Sequence, residues 1–275
     1  MDSGLNDSNR GSKRIKISIV TATYNSEAVI GDALRSVLEQ TYGDIEHIIV
    51  DGASSDGTME IVKSFENFYE GRLRWISEKD AGIYDALNKG VSMATGDVVG
   101  FLHSDDFFRD ARVVEKIAAE FKKDNDLEGT YGNLAFVDAE DPDRIKRIWI
   151  AGKGSFQTGW TIPHQTLYLK KTVYDKYGGY LTDMRNAADN EFILRVVKDG
   201  GIKLSYINEI LVMMKLGGAS TKGLNSSRIG FKEVQRSLEM HHIKFPFLVN
   251  SLRLVSKIKQ VARAKIASLS NNNRR

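Results

Sequence analysis

From residue 15 onward, short β-branched apolar runs alternate with stretches whose apolar positions recur every three or four residues. Residues 15–22, with Ile15, Ile17, Ile19 and Val20, read as a strand ending at Thr23-Tyr24-Asn25. Ser26 stands where an N-cap would, ahead of a helix with the stripe Val29, Ile30, Ala33, Leu34, Val37 and Leu38. A second strand over 45–50 stops at a loop, 51–58, with two glycines and several capping residues, and a helix over 59–68 follows. A third strand (73–77), the loop Glu78-Lys79-Asp80-Ala81-Gly82, a helix (83–94) and a fourth strand (98–102) continue the rhythm. Strand and helix alternating at this spacing imply right-handed crossovers and a parallel sheet of nucleotide-binding type.

After a helix at 113–122 the pattern changes. Residues 130–137 and 145–151 read as antiparallel strands around Asp141-Pro142, and 162–169 as a strand-like run containing Pro163-His164-Gln165. A helix over 171–177 stops at Gly178-Gly179, another opens at Ala187-Ala188-Asp189 and ends at Gly200-Gly201, and 202–206 and 209–215 read as a final pair of strands. The reading is α/β: a Rossmann-like, mostly parallel sheet flanked by helices, a smaller antiparallel sheet and a C-terminal helical tail. It divides the chain into a disordered N-terminus (1–14), a main domain (15–215, with halves 15–110 and 111–215) and the tail (216–275).

In that tail, residues 228–275 hold eleven Lys and Arg against two Glu, a net of +9 that leaves the rest of the chain at −6. Leu248, Leu252, Val255, Ile258, Ala262, Ile266 and Leu269 recur at helical spacing among the basic residues. Such a helix suits an anionic membrane surface, while packing on the domain or on a second subunit is the alternative. No cysteine is present, which excludes disulfides and thiolate metal sites. Residues 1–14 lack the apolar core of a signal peptide, and no apolar run nears the roughly 20 residues of a membrane span. The overall charge of +3 gives no reason to expect a nucleic-acid partner.

Chemistry concentrates where the first four strands end. The sequence His103-Ser104-Asp105-Asp106 leaves the fourth strand with two adjacent carboxylates. Such a pair repels itself unless protons or a cation intervene, and a hard divalent ion bridging phosphates is one resolution. Capping of the next helix by Asp105 is another. The carboxyl edge of an open α/β sheet is where ligands bind. Four loops converge there: 21–25, 51–58, 78–82 and 103–106.

Together with Ala188-Asp189-Asn190-Glu191, these loops resemble the inverting GT-A glycosyltransferases of family 2, which build bacterial surface polysaccharides such as capsule, O-antigen and exopolysaccharide. The resemblance runs from about residue 16 to about 212. It implies a nucleotide-sugar donor, most simply a UDP-sugar, with Mn²⁺ or Mg²⁺, and transfer of a hexosyl or N-acetylhexosaminyl group. The acceptor it implies is a glycan hydroxyl, carried on a lipid such as undecaprenyl diphosphate. Donor-binding roles are implied for Thr21, Tyr24, Asn25, Asp51, Asp80, Asn88, Ser104, Asp105 and Asp106. Asp105 and Asp106 would hold the metal, with His103 a third candidate ligand because it replaces the usual first acid. Asp189 matches the general base, and Ala188 replaces the Glu that ordinarily precedes it. The helix dipole and backbone N–H groups are expected to keep Asp189 ionised, and an N-cap role for the helix 190–198 is its plainer reading.

His164 and Gln165 are implied near the diphosphate or acceptor, and Trp160 offers a ring for a sugar face. His241-His242 is given no metal role. The expected location is cytoplasmic, peripheral on the inner face of the plasma membrane, with a homodimer left open. Two other readings stand beside this one. A non-catalytic binding or scaffold subunit is motivated by His103 and Ala188. A sugar nucleotidylyltransferase uses a similar fold, but the glycine-rich signature it needs is missing from residues 21–26.

Overall fold

The computed structural model describes residues 14–217, 224–256 and 260. Among the described residues nine strands, numbered in chain order, form one sheet in the order β3-β2-β1-β4-β8-β6-β9-β5, with β7 paired to β6. The first half holds the parallel strands: β1 (Ile17–Thr23), β2 (Ile45–Asp51), β3 (Leu73–Ser77) and β4 (Val98–Phe101). All residues of β1, β2 and β4 are buried, as continuous β-branched runs covered on both faces should be. The crossovers are α1 (Ile30–Leu38), α2 (Thr58–Ser64) with α3 (Glu66–Tyr69), and α4 (Ile83–Met93). Helix α4 lies close on β1 because Gly90 faces it: a Cβ there would come within 2.2 Å of Val20 Cγ1.

The remaining strands continue this sheet through antiparallel pairings, except for one parallel pair. They are β5 (Asp106–Phe108), β6 (Gly129–Val137), β7 (Ile145–Trp149), β8 (Tyr168–Lys170) and β9 (Leu204–Lys215), interleaved with α5 (Val113–Lys123) and α6 (Lys171–Tyr177). Strands β6 and β7 are antiparallel around the Asp141-Pro142 turn, as the sequence suggests. The expected final pair of strands is instead one twelve-residue strand, β9, which runs parallel to β6 and absorbs the break as a register shift beside Gly132 and Asn133.

Other boundaries also differ. Ser26 does not cap α1: its carbonyl accepts from Val29 and Ile30, and the N-cap position is Val29, without a side-chain cap. The helix expected over 59–68 breaks at Phe65 into α2 and α3. Pro163-His164-Gln165 is no part of a strand, since residues His164–Thr166 form a 3-10 turn before β8. The helix after Ala187 begins as α7 (Ala188–Ile193) and widens to a π-helix over Leu194–Asp199, stopping at Gly200.

Helix α8 (Leu224–Met240) and helical residues 246–256 fold back on the main domain. Leu238, Ile243 and Val249 bury against Leu194 of the π-helix. The described part of the tail's apolar stripe faces outward, because Leu248, Leu252 and Val255 are exposed. Phe245 and Phe247, at 76% and 67% exposure, extend the same surface. Ile258, Ala262, Ile266 and Leu269, like residues 1–13, lie outside the described residues. Among the described residues no helix is long and apolar enough to cross a membrane.

Candidate active site

A cleft of about 700 Å³ opens at the carboxyl ends of β1 and β4. Tyr24, Asn25, Asp80, Ser104 and Asp105 line it, with Lys215 and Gly217 on the opposite rim. Hydrogen bonds cross-link its loops. Asn25 Oδ1 accepts from Ser55 N at 2.9 Å, Asn25 N donates to Ser54 Oγ at 2.8 Å, and Ser26 Oγ lies 3.1 Å from Ser104 Oγ. Asn25 and Ala53 take positive φ, which Asn tolerates and Ala resists, so the second loop is held in a strained shape. Gly52 permits the third loop to approach: a Cβ there would sit 2.7 Å from Asp80 Oδ2.

Four expected donor ligands lie beneath the cleft rather than on it. Thr21 is fully buried, and its hydroxyl donates to Leu102 O at 2.6 Å and meets His47 Nε2 at 2.9 Å. Asp51 is equally buried; it accepts from Ser54 N, Ser54 Oγ and Ser77 Oγ and so shapes the loop. Asn88 clamps Tyr180 through its backbone N–H and C=O. Asp106 opens β5 with both carboxylate oxygens enclosed and unpartnered. Burial, and then the neighbouring charge of Asp105, push its pKa well up. The residue that starts an inward-facing strand turns away from the loop that Asp105 occupies.

Among the described residues, no three His, Asp or Glu side chains converge as a metal-binding group. Asp105 alone of the three expected ligands lines the cleft. It fits a divalent ion that takes one carboxylate from the protein and its other ligands from phosphates and water. His103 Nδ1 is enclosed without a partner, and burial lowers the ring's pKa against the pull of Asp105 and Asp189.

Asp189 sits in the first turn of α7, two residues beyond where an N-cap role would require it, since Ala187 holds the cap position. Tyr84 OH, from the first turn of α4, donates to its Oδ1 at 3.1 Å. Loss of solvation raises the Asp189 pKa, outweighing the Asn190 N–H, Tyr84 and the charges of Arg253 and His103. The dipole and backbone groups expected to keep it ionised meet an opposing and larger effect of burial, which raises the pKa. The result is a more basic carboxylate tied to α4, whose residues Ile83 and Ala86 line the donor cleft.

The sequence profile described as Glycosyl transferase family 2 matches residues 18–182. A PGL/p-HBAD biosynthesis glycosyltransferase of Mycobacterium bovis is 30% identical over 213 residues, 74% of this chain and 78% of that one. The chain belongs to glycosyl transferase family 2. Its fold is that of two solved structures. Staphylococcus aureus TarS 1-349, in complex with UDP-GlcNAc, aligns at a TM-score of 0.63 with 17% identity over 82% of this chain and 66% of that one. The mannosyltransferase PcManGT of Pyrobaculum calidifontis, in complex with GDP-Man and Mn²⁺, aligns at 0.63 with 18% identity over 94% and 76%. In a further TarS structure the solved chain is longer, and the match covers 44% of it.

On the other side of Asp189 the glycosyltransferase builds a second set of contacts. His164, fully enclosed, stacks on Phe101 at 5.0 Å and shares a 2.7 Å hydrogen bond with Tyr180 OH; burial lowers its pKa to about 3. It is thus a neutral strut behind His103, whose ring lies 6.0 Å away. Gln165 Nε2 points at Met214 Sδ and lines neither cleft nor base. Trp160 donates from Nε1 to Ala151 O and walls a separate cavity.

Sequence reasoning missed the residues that hold Asp189 in place. Glu233 of α8 accepts from three successive backbone N–H groups, Arg185, Asn186 and Ala187, just before α7. Arg253 donates to Asn190 Oδ1 at 2.5 Å. His241 bridges Asp199 (2.6 Å) and Glu191 (3.1 Å). These contacts come from the tail, whose excess charge was the only signal, and charge alone names no partner.

Proposed function

We propose that this family 2 glycosyltransferase transfers a hexosyl or N-acetylhexosaminyl group, with inversion, from a nucleotide-sugar to the hydroxyl of a lipid-diphosphate-linked glycan. The observation that carries the reading is the Tyr84–Asp189 pair: a carboxylate of raised pKa tied to the first turn of α4, whose neighbouring residues Ile83 and Ala86 line a nucleotide-sized cleft. Asp189 removes the acceptor hydroxyl proton as that oxygen attacks the anomeric carbon, and the nucleoside diphosphate leaves from the opposite face. Tyr24 offers its exposed ring to the base, and Asn25, Asp80 and Ser104 offer polar contacts to ribose and sugar. Thr21, Asp51 and Asn88 support the loops from below. A Mn²⁺ or Mg²⁺ ion held by Asp105 would stabilise the negative charge growing on the diphosphate.

UDP is the simplest donor nucleotide, supported by TarS with UDP-GlcNAc, whereas PcManGT with GDP-Man keeps GDP in view. The exposed Phe245, Phe247, Leu248 and Leu252, followed by a basic tail, support peripheral attachment to an anionic membrane, on the cytoplasmic face where nucleotide-sugars are made. The related glycosyltransferase of PGL biosynthesis fits an enzyme of surface glycolipids or polysaccharides.

The test is a thermal-shift screen of UDP-, GDP- and dTDP-sugars with and without Mn²⁺, since a ligand bound only by the native state raises the midpoint. A metal-dependent shift with one donor is expected. Folded protein that responds to no donor would instead identify a non-catalytic member. Donor hydrolysis lost in Asp189→Ala with nucleotide binding retained would exclude that alternative.

A further inference from the structure

A cavity of about 350 Å³ lies between β7, the glycine-rich segment after it and the final helical residues. Arg147, Lys153 and Arg253 line it, and among the described residues no carboxylate does. Like charges gathered in a partly dry hollow repel one another unless an anion offsets them. Arg147 lies flat over the Phe136 ring, 3.4 Å from its centroid, with Nε enclosed and lacking a hydrogen-bond partner. Burial pulls its pKa down to about 10, so it remains a cation at neutral pH. Trp160 forms an apolar wall beside these donors. The cavity also touches the reaction centre: Arg253 reaches from its lining to Asn190, the residue after Asp189.

We propose that this cavity is the acceptor's phosphate subsite, taking the phosphate or diphosphate that adjoins the sugar whose hydroxyl meets Asp189. The proposal rests on the glycosyltransferase reading given above and adds the residues that would recognise the acceptor. Two guanidinium groups and an ammonium suit the charge of a diphosphate better than that of a single carboxylate, and guanidinium forks favour phosphate oxygens. The source favoured by position is a lipid-linked diphosphate. The helical residues that supply Arg253 carry Phe247, Leu248 and Leu252 on their outer side, so a bilayer met by that side would deliver a headgroup beside the cavity.

The chain has three tryptophans, two of which, Trp149 and Trp160, line the cavity, so intrinsic fluorescence reads its occupancy. Inorganic diphosphate is titrated into the full-length protein with the donor cleft saturated by UDP. A saturable change that persists under UDP is expected, weakened about tenfold by Lys153→Gln and by Arg147→Gln, as loss of one charge-assisted contact worth ~1.4 kcal/mol implies. Lys153 is exposed, so its substitution leaves folding intact even if Arg147→Gln does not. UDP affinity should stay unchanged in both variants. Equal diphosphate affinity in wild type and Lys153→Gln, or a signal abolished by UDP, would overturn the proposal. Failure of the donor reading shows separately, as absence of nucleotide binding. Tighter binding of farnesyl diphosphate than of inorganic diphosphate assigns the lipid-linked source, and equal binding a soluble one; both uphold the subsite.

Discussion

The hydroxyl of Tyr84 donates to Asp189 Oδ1 at 3.1 Å, joining the first turn of α4 to the first turn of α7 across 105 residues of chain. Each end of this bond depends on the other. Asp189 raises the Tyr84 pKa, adding to the larger effect of burial, and Tyr84 moderates the rise that burial imposes on Asp189.

A base must be unprotonated to act, so turnover should climb as pH rises through the Asp189 pKa and fall away below it. Because that pKa is raised, the acid limb should lie above the ordinary carboxylate range. Tyr84→Phe removes a hydrogen bond to the charged form and should move the limb to still higher pH, with a loss of roughly three- to tenfold in kcat at neutral pH. KM for the donor should hold steady, since Tyr84 is not among the residues lining the cleft. Asp189→Asn should lower kcat by about 10²–10⁴ on the plateau above that limb and leave no such limb in the profile. A kcat–pH profile of the three proteins checks this; an unshifted limb in Tyr84→Phe would detach the tyrosine from the base.

Asp105 and Asp106 are neighbours in sequence with opposite surroundings, one in the cleft and one enclosed at the start of β5. Asp105→Asn should reduce turnover by about 10²–10³ and abolish metal-dependent donor binding. Asp106→Asn removes a buried carboxylate that lacks any hydrogen-bond partner, so donor binding should persist and thermal stability should hold or rise. Calorimetric titration of the donor with Mn²⁺ separates the two, and a variant of Asp106 that loses metal dependence would return it to the metal.

Glu233 meets the three backbone N–H groups of residues 185–187, which lead into the helix of Asp189. Glu233→Gln leaves one acceptor oxygen and turns an amide toward donors, so at least one N–H loses its partner. The expected cost is about 1–3 kcal/mol. Activity should fall more than global stability predicts, through kcat and not donor KM. Faster amide exchange at 185–187, measured by mass spectrometry, would accompany it; unchanged exchange there would place the effect elsewhere.

The strand ends and their loops were legible because buried parallel strands announce themselves as short β-branched runs, and the residues that follow mark the ligand edge. Depth was not legible. Thr21, Asp51 and Asp106 fall in stretches that read as loops but lie on strands β1, β2 and β5, where alternation of side-chain direction over one residue decides whether a carboxylate meets ligand or core. Asp105 and Asp106 differ by that single step. Ser26 misled for a related reason: a capping residue type also suits a plain turn. Long-range partners were beyond reach altogether. Nothing near Asp189 in sequence names Tyr84, Glu233 or Arg253, which arrive from α4 and the tail by tertiary packing. The tail's pattern was visible, but its outward apolar side and inward Arg253 appear only once the helix is docked.

Docking of that tail should itself respond to pH through His241. Its ring lies between Asp199 and Glu191, and their hydrogen bonds raise its pKa against the opposing effect of burial. Arg195 and Lys198 share the same carboxylates and compensate part of their charge. A histidine with a raised folded-state pKa stabilises fully below its ordinary value of 6.5 and loses that contribution as pH rises through the raised one. Glu191 and Asp199 have lowered values, despite burial, through these partners, so their contribution is present above the ordinary carboxylate range and is lost as pH falls below it. Attachment of residues 237–243 should therefore be tightest between the two windows and weaken toward alkaline pH. Amide-exchange protection of this segment, corrected for intrinsic exchange, should decline across the upper window in wild type. In His241→Gln it should start lower and stay flat there. A wild-type profile as flat as the variant's would mean that hydrophobic contacts of Leu238, Ile243 and Val249 hold the tail unaided.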